Sequence, residues 1–106
     1  MKSFTDTEQS KKLAEILPIE SADMFWPNAP ITVPCVKDGN PMGVNIPCWS
    51  LVALLGVLPN GIVMNKDAQS GRYHFSFKYI ETYVSADNPI DTCYQMTLML
   101  HGLKML

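Results

Sequence analysis

The sequence predicts a small single α+β domain in which about three helices pack on an antiparallel β-hairpin or small sheet. Three observations carry that expectation. Between residues 72 and 84 the odd positions hold Tyr73, Phe75, Phe77, Tyr79 and Tyr83, a period of two that places the rings on one face of a strand. Behind the pair Asn88-Pro89, the residues Ile90, Cys93, Met96, Leu100 and Leu103 recur at helical spacing, which predicts an amphipathic helix. Residues 51–58 form the longest apolar run, closed off by Pro59 and Gly61, as expected of a buried helix.

Size and charge narrow the function classes. With 106 residues and 11.8 kDa the chain has room for one modest core, so residues 1–106 read as a single domain and two independent domains are excluded. Hydrophobic residues make up 47% and charged residues 17%, enough apolar matter to rule out wholesale disorder. The formal net charge of −2 is not concentrated in any run, so nothing steers the chain toward nucleic acid or an anionic membrane. Residues 1–8 lack the basic start and apolar middle of a secretory leader, and the apolar run is too short to cross a bilayer. The expected localisation is cytoplasmic, with no membrane partner.

Along the chain, Thr5 and Glu8 have the form of a capping box, which predicts a helix over residues 6–17. Leu13, Ile16 and Leu17 share a face with Ala14, and Pro18 stops the run. Residues 18–47 then carry Pro18, Pro27, Pro30, Pro34, Pro41 and Pro47, which excludes regular helix and predicts an irregular segment. The alternation of Ile31, Val33 and Cys35 permits an edge strand within it. Pro47 opens the expected central helix at Cys48, and the run to Leu58 is apolar almost all round. A short strand over residues 62–65, turn residues 66–71 and a strand over residues 72–84 predict the hairpin. Asp87 or Asn88 caps the last helix, Pro89 takes its first position and Asp91 favours its positive end. Gly102 marks the expected end of that helix, leaving Leu103 to Leu106 as an apolar tail.

Three strings, EQSKKLAEILPIESADM at residues 8–24, IPCWSLVALLGVLP at residues 46–59 and DNPIDTCYQMTLMLHGLKML at residues 87–106, together resemble a family of short uncharacterised proteins common in gut Bacteroidales genomes and their mobile elements. The resemblance spans essentially the whole chain and implies no assigned activity. In the family pattern the last helix has a basic residue where Met99 stands and an acidic one where Gly102 stands, so this chain resembles a member with a more apolar end.

The chemistry-bearing residues are few. Cys35, Cys48 and Cys93 are odd in number and widely spaced, without the Cys-x-x-Cys spacing of a zinc site or redox dithiol, and buried reduced thiols are the plain expectation. Cys48 is the candidate nucleophile, with His74 or His101 as the base: at a helix start the dipole would lower its pKa. Cys93 and His101 lie about 80° around and roughly 12 Å along one helix, too far apart to share a metal. No metal ligand and no cofactor is therefore expected. The pairs Asp87 and Asp91, or Glu20 and Asp23, are better explained as caps and turn formers than as acid and base. No nucleotide-binding glycine loop and no serine-hydrolase elbow is present.

Two surfaces complete the candidates. Tyr73, Phe75, Phe77 and Tyr79 beside Lys66, Arg72, His74 and Lys78 would suit single-strand nucleic acid if exposed, although the hairpin holds only three basic residues against two acidic ones and the alternation equally suits a core-covering strand. Seven methionines and the tail of Leu103, Met105 and Leu106 make an apolar surplus that suits association with a protein partner or with a second copy. The leading expectation is thus a non-enzymatic protein-interaction module, an accessory protein of a mobile element, acting through the end of the last helix. The alternatives are a cysteine-dependent enzyme using Cys48 and nucleic-acid binding through the aromatic strand.

Overall fold

The structure, a computed structural model, describes residues 2–27, 34–36 and 46–106. It is the expected small α+β domain, in which the described residues form three α-helices and two three-stranded antiparallel sheets.

Helix α1 spans Thr7–Ala14 and begins one residue later than expected. Asp6 is its N-cap, accepting from the Gln9 N–H at 2.8 Å while the Gln9 side chain accepts from the Asp6 N–H at 3.2 Å, so the reciprocal box is Asp6 with Gln9 and not Thr5 with Glu8. Thr5 is fully buried instead. The helix also ends short of residue 17, but a further turn carried by the Leu17 N–H to the Leu13 carbonyl keeps Leu13 and Leu17 in the core. Ala14, expected on the inner face, is exposed.

The proline-rich segment contains more strand than its composition suggests. After a 3-10 turn at Ile19–Ser21, strand β1 (Met24–Trp26) lies between β2 (Cys35–Val36) and β3 (Ile46–Cys48). Phe25 stands opposite both Cys35 and Pro47, and Pro47 is tolerated because β3 is an edge. Cys35 does lie in an edge strand, while Ile31 and Val33 fall outside the described residues.

Helix α2 covers Leu51–Val57 and not the whole of residues 48–58: Ser50 caps it by accepting from the Ala53 N–H at 3.2 Å, and Pro47 and Cys48 belong to β3. Only Leu54 is fully buried within it, and Val52 is 78% exposed. The helix is therefore a lid on one side of the core rather than its centre.

The hairpin forms as expected from β4 (Ile62–Lys66) and β5 (Tyr73–Phe77), with Asp67 accepting from Gln69, Ser70 and the Ser70 hydroxyl in the turn. The long strand to residue 84 does not. The chain reverses between Phe77 and Tyr83 and returns as β6 (Tyr83–Ala86) in the order β4-β5-β6. Tyr83 pairs with Ser76 and Val84 with Phe75. Since paired residues share a face, Tyr83 is on the side opposite Phe75, and the five rings do not line one face.

Helix α3 (Pro89–Gly102) starts as expected, with the Asn88 side chain accepting from the Asp91 N–H at 2.9 Å and Pro89 in the first turn. It lies against β5, β6 and α2. Ile90, Cys93, Met96 and Leu100 are sealed against Phe75, Phe77, Val84, Trp49 and Leu54, so the aromatic strand does cover the helix with its two phenylalanines. Leu103, expected to pack inward, lies past the helix end and is 53% exposed.

Candidate functional site

Cys48 is placed by β3, not by a helix N-terminus, and the electrostatics change accordingly. Its side chain is fully buried beside Thr5, where the thiol donates to the Thr5 carbonyl at 3.4 Å and receives the Thr5 hydroxyl at 3.6 Å. Burial pushes the thiol pKa up, more strongly than hydrogen bonds from Thr5 and Ser10 draw it down. The expected dipole activation is thus replaced by desolvation. Neither histidine is hydrogen-bonded to it. His74 is on the outer face of β5 with its ring 6.0 Å from that of Tyr83, and His101 is exposed near the end of α3. Cys93 is buried under the sheet, and burial alone drives its thiol to about 12.

Asp23, Asp87 and Asp91 are engaged in structural contacts, those of Asp23 and Asp91 reaching far along the sequence. Asp91 accepts from Lys2, from the Gln9 amide and from Asn88, each at 2.8 Å; Asp23 receives the Ser50 N–H and hydroxyl; Asp87 pairs with Arg72 at 2.7 Å. Among the described residues, no group of three or more His, Cys, Asp or Glu side chains is arranged to hold a metal ion.

The aromatic strand is divided by burial. Phe75 and Phe77 are in the core and Tyr73 is half-buried, whereas Tyr79 and Tyr83 are 64% and 66% exposed. Lys66 lies over Tyr73 at 5.4 Å and Lys78 over Tyr79 at 5.0 Å, cation–π contacts that occupy both ammonium groups locally. The Arg72 guanidinium is spent on Asp87 and Ser85.

The tail is where the apolar surplus emerges. Leu103, Met105 and Leu106 are all exposed, and the backbone that presents them is fixed: the Met105 N–H reaches the Leu100 carbonyl at 2.9 Å and the Lys104 N–H the His101 carbonyl at 3.0 Å. This pair of bonds is a Schellman motif. Lys104 takes its left-handed position at φ 59°, so the helix ends at Gly102 as expected, while the left-handed reversal falls two residues on and not on the glycine.

Two features were not found by sequence reasoning. One is a buried polar knot in which Thr5 bridges Ser10 and the Trp49 N–H while Trp26 donates to the Thr5 carbonyl and the Ser10 hydroxyl. The other is an apolar cavity of about 330 Å³ between α2 and the inner face of β4, lined by Leu51, Leu55, Met64, Lys66, Tyr73 and Phe75. The alternation of Ile62, Met64 and Lys66 was the available signal for its strand wall, but the α2 wall depends on packing that no local pattern encodes.

The fold and these candidate sites define a small two-sheet α+β domain with exposed apolar side chains on α2, β4 and the segment after α3. No protein-family model matches the chain, and no curated protein or solved structure does either. Among the described residues no helix is long and apolar enough to cross a membrane.

Proposed function

We propose that the protein is a non-enzymatic interaction module that seats the exposed end of α3 on another protein, in the cytoplasm, in keeping with an accessory role in a mobile element. The supporting observation is the apolar tail: Leu103, Met105 and Leu106 stand 53%, 38% and 39% exposed on a backbone held by two cap hydrogen bonds. Apolar groups held out on an ordered backbone lose little conformational entropy on docking, and leucine and methionine side chains adapt to an apolar groove.

The test is a photo-crosslinking residue placed at position 106 in the native host, with and without Leu103→Lys. A discrete adduct that is lost with the charge supports the reading. No adduct, or adducts indifferent to the charge, would refute it.

A further inference from the structure

The edge of β4 carries an inference beyond the tail. Gly61 accepts from the Lys78 N–H at 3.0 Å and the Asp67 N–H donates to the Arg72 carbonyl at 2.8 Å, and the register between them runs Ile62 with Phe77, Val63 with Ser76, Met64 with Phe75, Asn65 with His74 and Lys66 with Tyr73. In an antiparallel ladder the hydrogen-bonded pairs alternate, so Val63 and Asn65 direct their backbone groups at β5. Ile62, Met64 and Lys66 must then direct theirs outward, where β4 has no neighbouring strand among the described residues.

The two edges of this sheet are treated differently. On β6 the same alternation turns the Ser85 carbonyl outward, and Arg72 covers it with a hydrogen bond of 3.2 Å while also holding the Ser85 hydroxyl. On β4 there is no proline, no bulge in the register, and the single charge is Lys66, drawn over Tyr73. An edge without such devices is a template for another strand. Beside the exposed Asn65 and Lys66, β4 shows two apolar side chains, Val63 at 45% and Met64 at 53% exposure, on opposite faces of the strand.

We propose that β4 pairs with β4 of a second copy, antiparallel about a twofold axis at Met64, joining two three-stranded sheets into one of six. The outward groups are self-complementary in that register. Met64 faces Met64 as a hydrogen-bonded pair and Ile62 faces Lys66, so each copy donates three N–H groups and accepts at three carbonyls. The Lys66 ammonium stands across from Ile62 and no like charges are opposed. On the inner face the two Met64 side chains meet beside the mouths of the apolar cavities, which gives the exposed methionine a partner. The interface is isologous, the commonest way for a chain to meet its own copy. It does not depend on the tail of α3.

The experiment is the solution mass by light scattering across a concentration series for the full chain, Met64→Pro, Met64→Lys and Leu103→Ser/Leu106→Ser. In the single chain the Met64 N–H faces solvent, so proline there removes no bond of the fold, whereas in the dimer it deletes a central pair; lysine sets two like charges on the twofold axis. The expected result is twice 11.8 kDa for the full chain and the tail variant, and 11.8 kDa for both Met64 variants with unchanged circular dichroism. A full chain that stays monomeric throughout, Met64 variants that remain dimers, or a tail variant that alone becomes monomeric would overturn it. Should the Met64 variants not fold, amide exchange on the unaltered chain decides: the N–H groups of Ile62, Met64 and Lys66 become protected as concentration rises if the edge pairs, and stay fast if it does not.

Discussion

Lys2 and Asp91 are 89 residues apart in sequence and 2.8 Å apart in space, an ion pair that fastens the amino-terminal segment to the first turn of α3. Asp91 sits at the positive end of the α3 dipole and also holds Gln9 of α1, so one carboxylate joins three parts of the chain. Partial burial alone would raise its pKa, and the hydrogen bonds from Lys2, Gln9 and Asn88 more than offset this, leaving it below the ordinary 3.8. Lys2 follows the same logic with opposite sign: burial lowers its pKa, the bonds it donates to Asp91 and Asp6 more than offset this, and it ends above 10.5.

The pH dependence follows from those two directions. A carboxylate depressed on folding contributes stability above 3.8, which is lost as the pH falls through its folded value; an amine raised on folding contributes below 10.5 and is lost as the pH rises through its folded value. Asp91→Asn should cost about 1–2 kcal/mol near neutrality, a charged hydrogen bond discounted for partial exposure. Thermal melts over a pH series should show the acid-side loss in the native chain reduced in the variant; parallel curves would assign that loss to other carboxylates.

Thr5 is expected to matter more than any cap of α1. Its hydroxyl is the buried acceptor for the Trp49 N–H at 3.1 Å and is shared with Ser10 at 2.8 Å. Thr5→Val keeps the shape but strands the Trp49 N–H, at a cost of about 2 kcal/mol. Asp6→Ala should cost about 1 kcal/mol as a lost N-cap, and Glu8→Ala less than about 0.5 kcal/mol as an exposed residue outside the box. Urea unfolding midpoints for the three variants check the order; equal effects from Thr5 and Glu8 would restore the capping role to Thr5.

Both described thiols should be silent in the folded chain. Burial holds Cys48 above its ordinary pKa and Cys93 at about 12, so little thiolate exists near neutrality and neither sulfur is open to a reagent. Iodoacetamide labelling followed by peptide mass mapping should modify Cys48 and Cys93 only after unfolding. Fast labelling of Cys48 in the native chain would revive a nucleophilic role for it.

What the sequence made legible was what local pattern determines. Asn88-Pro89 with the spacing of Ile90, Cys93, Met96 and Leu100 located α3, and the Asp67 to Gly71 turn located the hairpin, because caps and turns are chosen by adjacent residues. The reversal between Phe77 and Tyr83 was hidden because Lys78, Tyr79, Ile80, Glu81 and Thr82 include no glycine, proline or asparagine, and the odd-numbered rings ran straight across it. Cys48 was misplaced for a related reason: Pro47 serves equally at a helix start and on an edge strand, and only the pairing of β1 with β3 decides between them. The Thr5 knot joins residues more than forty positions apart, beyond the reach of any spacing rule. The apolar tail was legible as composition, whereas the open edge of β4 needed the register.

The end of α3 gives a last prediction, in which two neighbouring positions respond to their backbone rather than to their chemistry. Lys104 holds φ 59°, a left-handed conformation that crowds its Cβ against the backbone. Lys104→Gly should therefore stabilise the chain by about 0.5–1 kcal/mol, the relief of that crowding less the added freedom of glycine in the unfolded chain. Gly102 is instead the last residue of the helix, and a Cβ there would meet nothing within 4 Å, so Gly102→Ala should also stabilise, by up to about 1 kcal/mol on helix propensity. Each gain should raise the thermal midpoint by about 2–8 °C in a domain of this size. A fall in stability for Gly102→Ala would show that the glycine, and not Lys104, accommodates the reversal at the helix end.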